Sequence, residues 1–416
     1  MRRGKTKRYP KTRKRIHRQS KKHRYSKMNG LNGLTKLNGL NGGKVIGSGG
    51  FGCVLSPVLT CDNKDLNTGL GLNTKNKISK IMLKQYAVEE YKDIKKYANI
   101  IHRIPNYNNY FIIDNISICA PNKLSPADLI NYDEKCFALN SFDITSSNIN
   151  SNLNKLAILN EPNGGIEIDD YIIANFLNIY LLKKMNTTLI NLLLHGIIPM
   201  NKLHVYHLDV KGSNILYDGI HSRLIDWGLS YYFTNPKIAY SLVTEISHRP
   251  FHFNLPYSII IFHTHFIHNY DKFLTFSKPT KANIQGFVLK YLNKLSESEN
   301  GSHIHGVISD FNSLFKGKFT MNTIATYIST ILFRFTINNT LELAQYFPIF
   351  LKNVDVWGFV ISYLSFIDIV QKQDAPPAQL QIVQHLKSAI ELLLKYNTTA
   401  INVNELVTIL NKINNV

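Results

Sequence analysis

The sequence predicts an α+β protein of two lobes, a small strand-rich lobe followed by a larger, mainly helical one. Hydrophobic residues make up 44% of the 416 residues, which is enough to build a sizeable core. Short β-forming runs are concentrated near the front of the chain, whereas helical periodicity dominates beyond about residue 168. We therefore divide the chain into residues 1–43, 44–160 and 161–416.

The first segment is a basic arm with a linker. Residues 1–27 hold 14 Lys and Arg and no acidic residue, so most of the formal net charge of +20 belongs to them. Such a segment cannot bury apolar surface, and we expect it to be disordered. It serves either as a solubilising or targeting arm or as a contact with nucleic acid or an anionic surface. Residues 28–43 repeat Leu-Asn-Gly-Leu, which indicates a flexible linker.

The cysteines and the hydropathy pattern favour an intracellular protein. Cys53, Cys61, Cys119 and Cys136 show neither a CxxC pair nor zinc spacing, which argues against a disulfide scaffold and for a reducing compartment. No apolar run reaches about 18 residues, so we expect no transmembrane segment. The basic N-terminus also lacks the apolar stretch of a secretory signal.

The elements of the two lobes follow from local patterns. In the first lobe, strand-like runs at about 44–60 and 77–83 precede a helical pattern at about 86–102. The polar, Asn- and Ser-rich stretch 120–152 is interpreted as a surface insertion. Further helices are predicted near 169–194, 284–297, 321–334, 355–371, 378–395 and 403–413.

A glycine-rich segment follows the first strand and fits the pattern G-x-G-x-x-G-x-V. It consists of Gly47, Ser48, Gly49, Gly50, Phe51, Gly52, Cys53 and Val54. Glycines let a hairpin backbone approach phosphate oxygens closely. The same pattern marks dinucleotide-binding folds, and a glycine-rich turn can also be only a turn. Strand-like residues on both sides favour a hairpin that covers phosphates.

Lys80 lies within a predicted strand, where a surface lysine is the ordinary interpretation. Glu90 follows on the predicted helix, beside its apolar stripe. A buried lysine needs such a carboxylate partner. Glu89 is the alternative partner, although its ordinary position is in solvent.

The most specific signal is the segment His207–Asn214, which fits H-x-D-x-K-x-x-N. Asp226-Trp227-Gly228 follows 17 residues after Asp209. Phosphoryl transfer needs an Asp that accepts a hydroxyl proton, an Asn and a second Asp that hold metal ions, and a Lys that neutralises phosphate. Two short predicted strands between the motifs would place both aspartates at one site.

With these motifs the chain resembles the eukaryotic-type protein kinases from about residue 44 to the end. The resemblance implies a bilobal kinase-like fold, ATP and Mg²⁺ as cofactors, and a protein substrate. Lys211 in the catalytic loop is typical of the Ser/Thr kinases. The implied catalytic residues are Asp209 as base, Lys211 on the γ-phosphate, and Lys80 paired with Glu90. The implied magnesium ligands are Asn214 and Asp226.

The resemblance also implies which residues contact the nucleotide. The glycine loop would cover the phosphates through Gly47, Ser48, Gly49, Gly50, Phe51, Gly52 and Val54. Lys80 would hold the α- and β-phosphates, and Asn160 and Glu161 would lie in the adenine hinge before Gly164-Gly165. Pro162 in that hinge lacks an N–H donor, which would remove one hydrogen bond if it occupies the adenine-contacting position.

Within the family, the chain is most similar to the protein kinases of large DNA viruses. The resemblance rests on the asparagine-rich composition and on three phrases, His248–Phe251, Phe253–Ser258 and Lys352–Asp355. It implies a location in the cytoplasm or nucleus of a host cell, or in the virion.

Several positions depart from the family pattern. Leu208 replaces the arginine that normally meets a phosphate on the activation loop, so we expect activity without phosphorylation of that loop. Trp227 replaces a phenylalanine, and the usual Ala-Pro-Glu is missing. About 96 residues, 259–354, precede Asp355, which looks like the start of the central helix. This insertion is our candidate for ordering the loop.

Other interpretations stay open at this stage. The histidines of the sequence His-Thr-His-Phe-Ile-His, which are His263, His265 and His268, could bind zinc but are more simply surface or satisfied imidazoles. The alternatives to a protein kinase are a small-molecule phosphotransferase of kinase-like fold, a catalytically weak scaffold, and a nucleic-acid-associated module. The substrate and the oligomeric state are not predicted.

Overall fold

The computed structural model describes residues 44–62, 76–233, 246, 248–298, 301 and 303–416. The expectations for the basic arm and linker, residues 1–43, lie outside these. The chain divides into two units: the first contains the described residues up to Lys95 together with Ile113–Asn163, and the second contains Lys96–Ile112 and Gly164–Val416. The first unit holds the main β-sheet and the second is mostly helical, which confirms the predicted α+β class.

The first unit is organised around a five-stranded antiparallel sheet with the strand order β1-β2-β3-β5-β4. Its strands are β1 Lys44–Ser48, β2 Gly52–Ser56, β3 Lys77–Leu83, β4 Ser117–Cys119 and β5 Leu156–Pro162. The register places Lys80 of β3 opposite Val54 of β2 and Leu159 of β5. The helix Lys84–Ile101 begins directly after β3.

The stretch 120–152 is not the surface insertion that its composition predicts. Most of its apolar residues are buried in one core with residues of β1, β2 and β5. They are Leu124, Tyr132, Cys136, Ala138, Leu139, Ile144 and Ile149. Many of its polar side chains bind turn backbone instead; the Asn150 amide, for example, accepts from Leu124 N–H and donates to Leu124 C=O. Polar composition here therefore reflects satisfied turns and not an exposed loop.

The expectation of unpaired cysteines is wrong. Cys53 on β2 is joined to Cys136, and Cys61 is joined to Cys119 on β4. The partners are 83 and 58 residues apart, so local spacing cannot reveal them. Folding of the stretch 120–152 against the sheet brings Cys136 to β2. Because disulfides are typical of oxidising compartments, the cysteine argument for a reducing compartment no longer holds.

The second unit carries most of the helices and several short strands. Its helices are Ile168–Asn175, Ile179–Asn191, Ile198–Lys202, Thr264–Phe276, Lys281–Ser296, Ile304–Leu314, Met321–Phe335, Leu343–Ile361, Leu364–Gln371, Pro377–Lys395 and Val403–Asn414. Its strands are β6 Ile166–Glu167, β7 Val205–Tyr206, β8 Ile215–Tyr217, β9 Ser222–Leu224, β10 Tyr231–Tyr232, β11 Thr336–Ile337 and β12 Thr340–Leu341. The strand β7 precedes the loop His207–Asn214, and β8 follows it.

The central helix begins earlier than predicted. It spans Leu343–Ile361, so Asp355 lies in its second half and is not the residue that starts it. The aromatic residues upstream, such as Tyr346, Phe347 and Phe350, are buried and extend the apolar pattern of the helix. The predicted insertion 259–354 therefore shares this helix with the segment that follows it.

Within the described residues, the stretch Leu343–Gln371 is long and apolar enough to cross a membrane. However, 83% of its most apolar window is buried inside the protein, as is usual for a core helix.

The helices Thr264–Phe276 and Ile304–Leu314 were not predicted from the sequence.

Candidate active site

The glycine-rich loop connects β1 and β2 in the first unit. A Cβ atom added to Gly47 or Gly50 would meet no atom within 4 Å, and one added to Gly49 would make only an ordinary contact at 3.8 Å. Gly52 differs, because its Cβ would lie 2.7 Å from the carbonyl oxygen of Ile81 on β3. Packing therefore explains Gly52, whereas the other three glycines leave open backbone that a ligand can approach.

Two side chains of the glycine loop have partners within the first unit. The hydroxyl of Ser48 accepts a hydrogen bond of 3.1 Å from the backbone N–H of Ala138. The ring of Phe51 packs on that of Tyr86, with centroids 4.8 Å apart. The stretch 120–152 thus helps to hold the loop.

Lys80 and Glu90 form an ion pair within the first unit. The Nζ atom of Lys80 lies 2.6 and 2.8 Å from the two carboxylate oxygens of Glu90. Their side chains are only 16% and 10% exposed, so the pair is shielded from water. Glu89, the alternative partner, is exposed. The pair fixes the lysine ammonium on the sheet.

The residues proposed for the adenine hinge lie at the end of β5. Asn160 is buried, and its Oδ1 atom accepts a hydrogen bond of 2.5 Å from the hydroxyl of Ser79. Its side chain is therefore occupied by a hydrogen bond within the sheet. Glu161 and Pro162 follow it on β5 and pair in register with Ile78 and Lys77. Of the two predicted hinge residues, Glu161 is the more accessible.

The loop His207–Asn214 in the second unit is anchored by Asp355. The carboxylate of Asp355 accepts hydrogen bonds from the N–H groups of His207, at 2.9 Å, and Leu208, at 2.8 Å. The amide of Asn201 adds a third, at 2.7 Å. Burial raises the pKa of Asp355, while the neighbouring His207 and these hydrogen bonds oppose the rise. Leu208 has φ 59°, an uncommon conformation for leucine that these contacts must hold.

Asp209 is surrounded by donors. Its carboxylate lies 2.9 Å from Nζ of Lys211 and 3.0 Å from the amide nitrogens of both Asn214 and Asn254. A guanidinium nitrogen of Arg249 lies 3.7 Å away. Burial alone would raise the pKa of Asp209, but Lys211 and Arg249 together lower it below its usual range. Asp209 is therefore a carboxylate at neutral pH.

Asp226 and Asn214 are linked through the backbone. The N–H of Ile225, next to Asp226, donates to the carbonyl of Asn214 at 3.1 Å. Asp226 is exposed and has φ 66°, an uncommon backbone conformation for a residue other than glycine. The amide nitrogen of Asn214 is turned towards Asp209, which leaves its amide oxygen for another partner. Together they present oxygen ligands of the kind that Mg²⁺ prefers.

Trp227, which stands where the family has a phenylalanine, is packed in the core of the second unit. It is 1% exposed, and its ring lies against those of Tyr97, Phe111 and His207, with centroids 5.3–5.9 Å apart. All of these residues belong to the second unit. The larger ring thus supports the backbone beside Asp226 without disturbing the motif.

No sequence motif predicts the contacts that Arg249, Asn254 and Asp355 make with this loop. The first two lie in the phrase that stands where the family has Ala-Pro-Glu, and this was the only signal that drew attention to them. The zinc site considered for His263, His265 and His268 is not found: the described part of the chain contains no group of three or more His, Cys, Asp or Glu side chains that could hold a metal.

Comparison with protein-family models and with curated proteins gives no match for this chain. Among solved structures, the chain is similar to a crystal structure of a kinase domain, PF14_0431, at 16% sequence identity and a TM-score of 0.26. The alignment covers 62% of this chain and 74% of that chain. A likeness this distant carries no weight for fold or function, and it does not bear on the resemblance to viral kinases.

Proposed function

We propose that this protein is an ATP-dependent kinase that transfers the γ-phosphate of ATP to Ser or Thr of protein substrates. One observation carries the proposal: Asp209 is a buried carboxylate kept ionised by Lys211 and Arg249, on a loop that also carries Asn214. Being ionised, this carboxylate can orient an acceptor hydroxyl and take up its proton as the hydroxyl oxygen attacks phosphorus.

In the proposed reaction, Asp209 takes the proton of the acceptor hydroxyl while the hydroxyl oxygen attacks the γ-phosphorus. The bond from the γ-phosphorus to the bridging oxygen breaks, and ADP leaves with that electron pair. Lys211 neutralises negative charge on the transferred group. A positioned base contributes roughly 10²–10⁴-fold to such a transfer.

We assign nucleotide binding to the glycine loop and Lys80, because packing does not explain the glycines at 47, 49 and 50. Gly47, Gly49 and Gly50 leave open backbone for phosphate oxygens, and Lys80, fixed by Glu90, offers an ammonium group to them. Because the Asn160 side chain is committed to the sheet, we assign the hinge contact to the backbone around Glu161.

Asn214 and Asp226 would hold Mg²⁺ through their amide and carboxylate oxygens. When bound, the ion supplies positive charge to the phosphate oxygens. The described residues fit this role because the Asn214 amide nitrogen already donates to Asp209, which leaves the oxygen for a cation.

The two alternatives predict different substrates. A small-molecule phosphotransferase would label small amines or alcohols, and a scaffold would label nothing. The presence of Lys80, Asp209 and Asp226 argues against a scaffold, since each step of transfer has a residue to perform it. Lys211 favours a protein kinase, by resemblance to that family.

The test is a transfer assay with γ-labelled ATP and Mg²⁺ on a basic protein mixture, a peptide library and small amines. Wild type should label Ser and Thr of proteins or peptides, and Asp226→Asn should lose nearly all transfer. Asp271→Asn, an equivalent change at an exposed helical site, is the control and should keep it. Wild-type turnover in Asp226→Asn would refute the assignment.

A further inference from the structure

Arg249 holds one side of the strained peptide at Leu208. Its guanidinium donates a hydrogen bond of 2.7 Å to the carbonyl of Leu208 and lies 3.7 Å from Asp209. The N–H of Leu208 is held from the other side by Asp355, at 2.8 Å. Both backbone polar groups of Leu208, the residue directly before the proposed base, are therefore hydrogen-bonded to side chains distant in sequence.

Arg249 is in turn held by the inserted segment. His263 is buried, and its Nε2 atom lies 2.7 Å from the carbonyl oxygen of Arg249. Since a carbonyl can only accept, Nε2 carries the proton in this contact. Burial lowers the pKa of His263 to about 4, so the imidazole is neutral at physiological pH.

The position of His263 is fixed by the core of the second unit. Its neighbour Phe262 packs against Phe347 and Phe350 of the helix Leu343–Ile361, with ring centroids 5.6 and 4.8 Å apart. That helix also carries Asp355. The helix Leu343–Ile361 therefore supports Leu208 in two ways. It does so directly through Asp355, and indirectly through Phe262, which fixes His263 beside Arg249.

A second path joins the insertion to Asp209. The ring of His303, at the start of the helix Ile304–Leu314, lies against the ring of His252, with centroids 4.7 Å apart. His252 hydrogen-bonds to the amide oxygen of Asn254, whose amide nitrogen donates to Asp209 at 3.0 Å.

We infer that Arg249 is a positioning residue for Asp209, taking the place of a phosphate-coupled arginine, and that the inserted segment holds Arg249 through His263. The inference rests on the proposed function, because it concerns the regulation of the same site. It predicts an enzyme whose catalytic loop is ordered by its own insertion and needs no activating phosphorylation.

The kinetic test uses the full chain. Arg249→Met should lower kcat about 10²-fold and leave the KM for ATP near its wild-type value, because a misplaced base slows the chemical step and not nucleotide binding. Arg249→Lys, which keeps a cationic donor, should recover at least about a tenth of the wild-type rate. The control Arg334→Met, at an exposed site in the insertion, should behave like wild type.

A second test needs no transfer activity. Hydrogen exchange of the backbone amides of 205–214 should be faster in His263→Leu, which lacks the donor, and close to wild type in His263→Gln, which can donate from a similar place. His265→Leu, at an exposed site two residues further on, is the control. Thermal unfolding of each variant separates a loosened loop from a loss of fold.

The outcomes distinguish the inference from the proposed function. If wild type transfers phosphate to nothing, the proposed function fails, and the exchange experiment still decides whether the insertion holds the loop. An unchanged kcat in Arg249→Met, unchanged exchange in His263→Leu, or loss of wild-type activity after phosphatase treatment would overturn the inference.

Discussion

Lys80 and Glu90 illustrate how much a single shielded contact can decide. Both oxygens of Glu90 lie within 2.8 Å of the lysine ammonium, in surroundings that exclude most water. A charge-assisted hydrogen bond of this kind fixes the lysine where a phosphate can meet it, whereas a solvated lysine would sample many positions.

Glu90→Gln should therefore impair the use of ATP. The change removes the negative charge but keeps the size of the side chain, and a hydrogen bond to a charged group is worth about 1.5–3 kcal/mol. We expect kcat/KM for ATP to fall at least about tenfold in steady-state assays. Glu89→Gln is the matched control, since Glu89 is the exposed neighbour. Equal losses in the two variants would contradict the pairing.

His263 should make the stability of the protein depend on pH. Its pKa is about 4 in the folded state against an ordinary value of 6.5, so below pH 6.5 the unfolded chain binds a proton that the folded chain does not. The stability is full above pH 6.5 and is lost as the pH falls towards 4, by about 3 kcal/mol in total.

His263→Gln removes this titrating group. We expect the free energy of unfolding, measured with denaturant at pH 7.5 and pH 4.5, to fall less between the two values in the variant than in wild type. His252, whose pKa burial also lowers, is present in both proteins and cancels in the comparison. An identical fall in both proteins would show that His263 is not buried in its neutral form.

At the scale of elements, the β1–β2 hairpin contains glycines of two kinds. Gly52 is required by the sheet, because a side chain there would collide with the carbonyl of Ile81 on β3. Gly49 has only one ordinary contact, at 3.8 Å, and no unusual φ. Packing therefore requires Gly52, whereas Gly49 is explained by the proposed nucleotide.

Alanine substitutions should separate the two kinds. Gly52→Ala should lower the melting temperature, since either the sheet or the new methyl group must move. Gly49→Ala should melt like wild type but raise the KM for ATP, because the methyl group occupies space next to the phosphates. If Gly49→Ala changes neither property, the loop does not cover a nucleotide.

The disulfide Cys53–Cys136 ties the same hairpin to the stretch 120–152. Replacing both cysteines by serine should lower the free energy of unfolding by about 2–5 kcal/mol in oxidising buffer. Under reducing conditions, which also break Cys61–Cys119 in both proteins, the wild type and the variant should have nearly the same free energy of unfolding. Peptide mapping that finds the four cysteines as free thiols in the oxidised protein would contradict the pairing.

At the scale of the whole molecule, the basic arm and the proposed enzyme are separable in sequence. Residues 1–27 hold 14 Lys and Arg, whereas every proposed catalytic residue lies between 80 and 226. Salt-dependent attraction to phosphate chains needs only a cluster of cations, and phosphoryl transfer needs a folded site.

A chain that begins at Gly43 should keep its transfer activity and lose its binding to DNA or other anionic polymers. For the full chain, each phosphate contact should add about −0.9 to the slope of log K against log salt. A full-length variant with the basic residues of 1–27 changed to Gln is the matched control and should behave like the truncated protein. Loss of transfer on truncation, or undiminished DNA binding, would contradict this division.

The sequence by itself determined the features that are encoded over short distances. Helical periodicity predicted five helices to within a few residues, as for 403–413 against Val403–Asn414. The motif from His207 to Asn214 predicted which side chains share one loop, since eight successive residues between two strands cannot lie far apart. Such features depend only on the residues of one segment and their spacing, so they can be predicted without knowing the rest of the fold.

Only the tertiary structure decided the contacts between distant segments. Asp355 anchors Leu208 across 147 residues, Asn254 reaches Asp209 across 45, and Cys53 meets Cys136 across 83. No periodicity marks these partners, because a contact of long sequence separation depends on how whole elements pack. For the same reason the stretch 120–152, polar by composition, is part of a core. Its asparagines and serines satisfy backbone groups inside turns, and most of its apolar side chains are buried against the sheet.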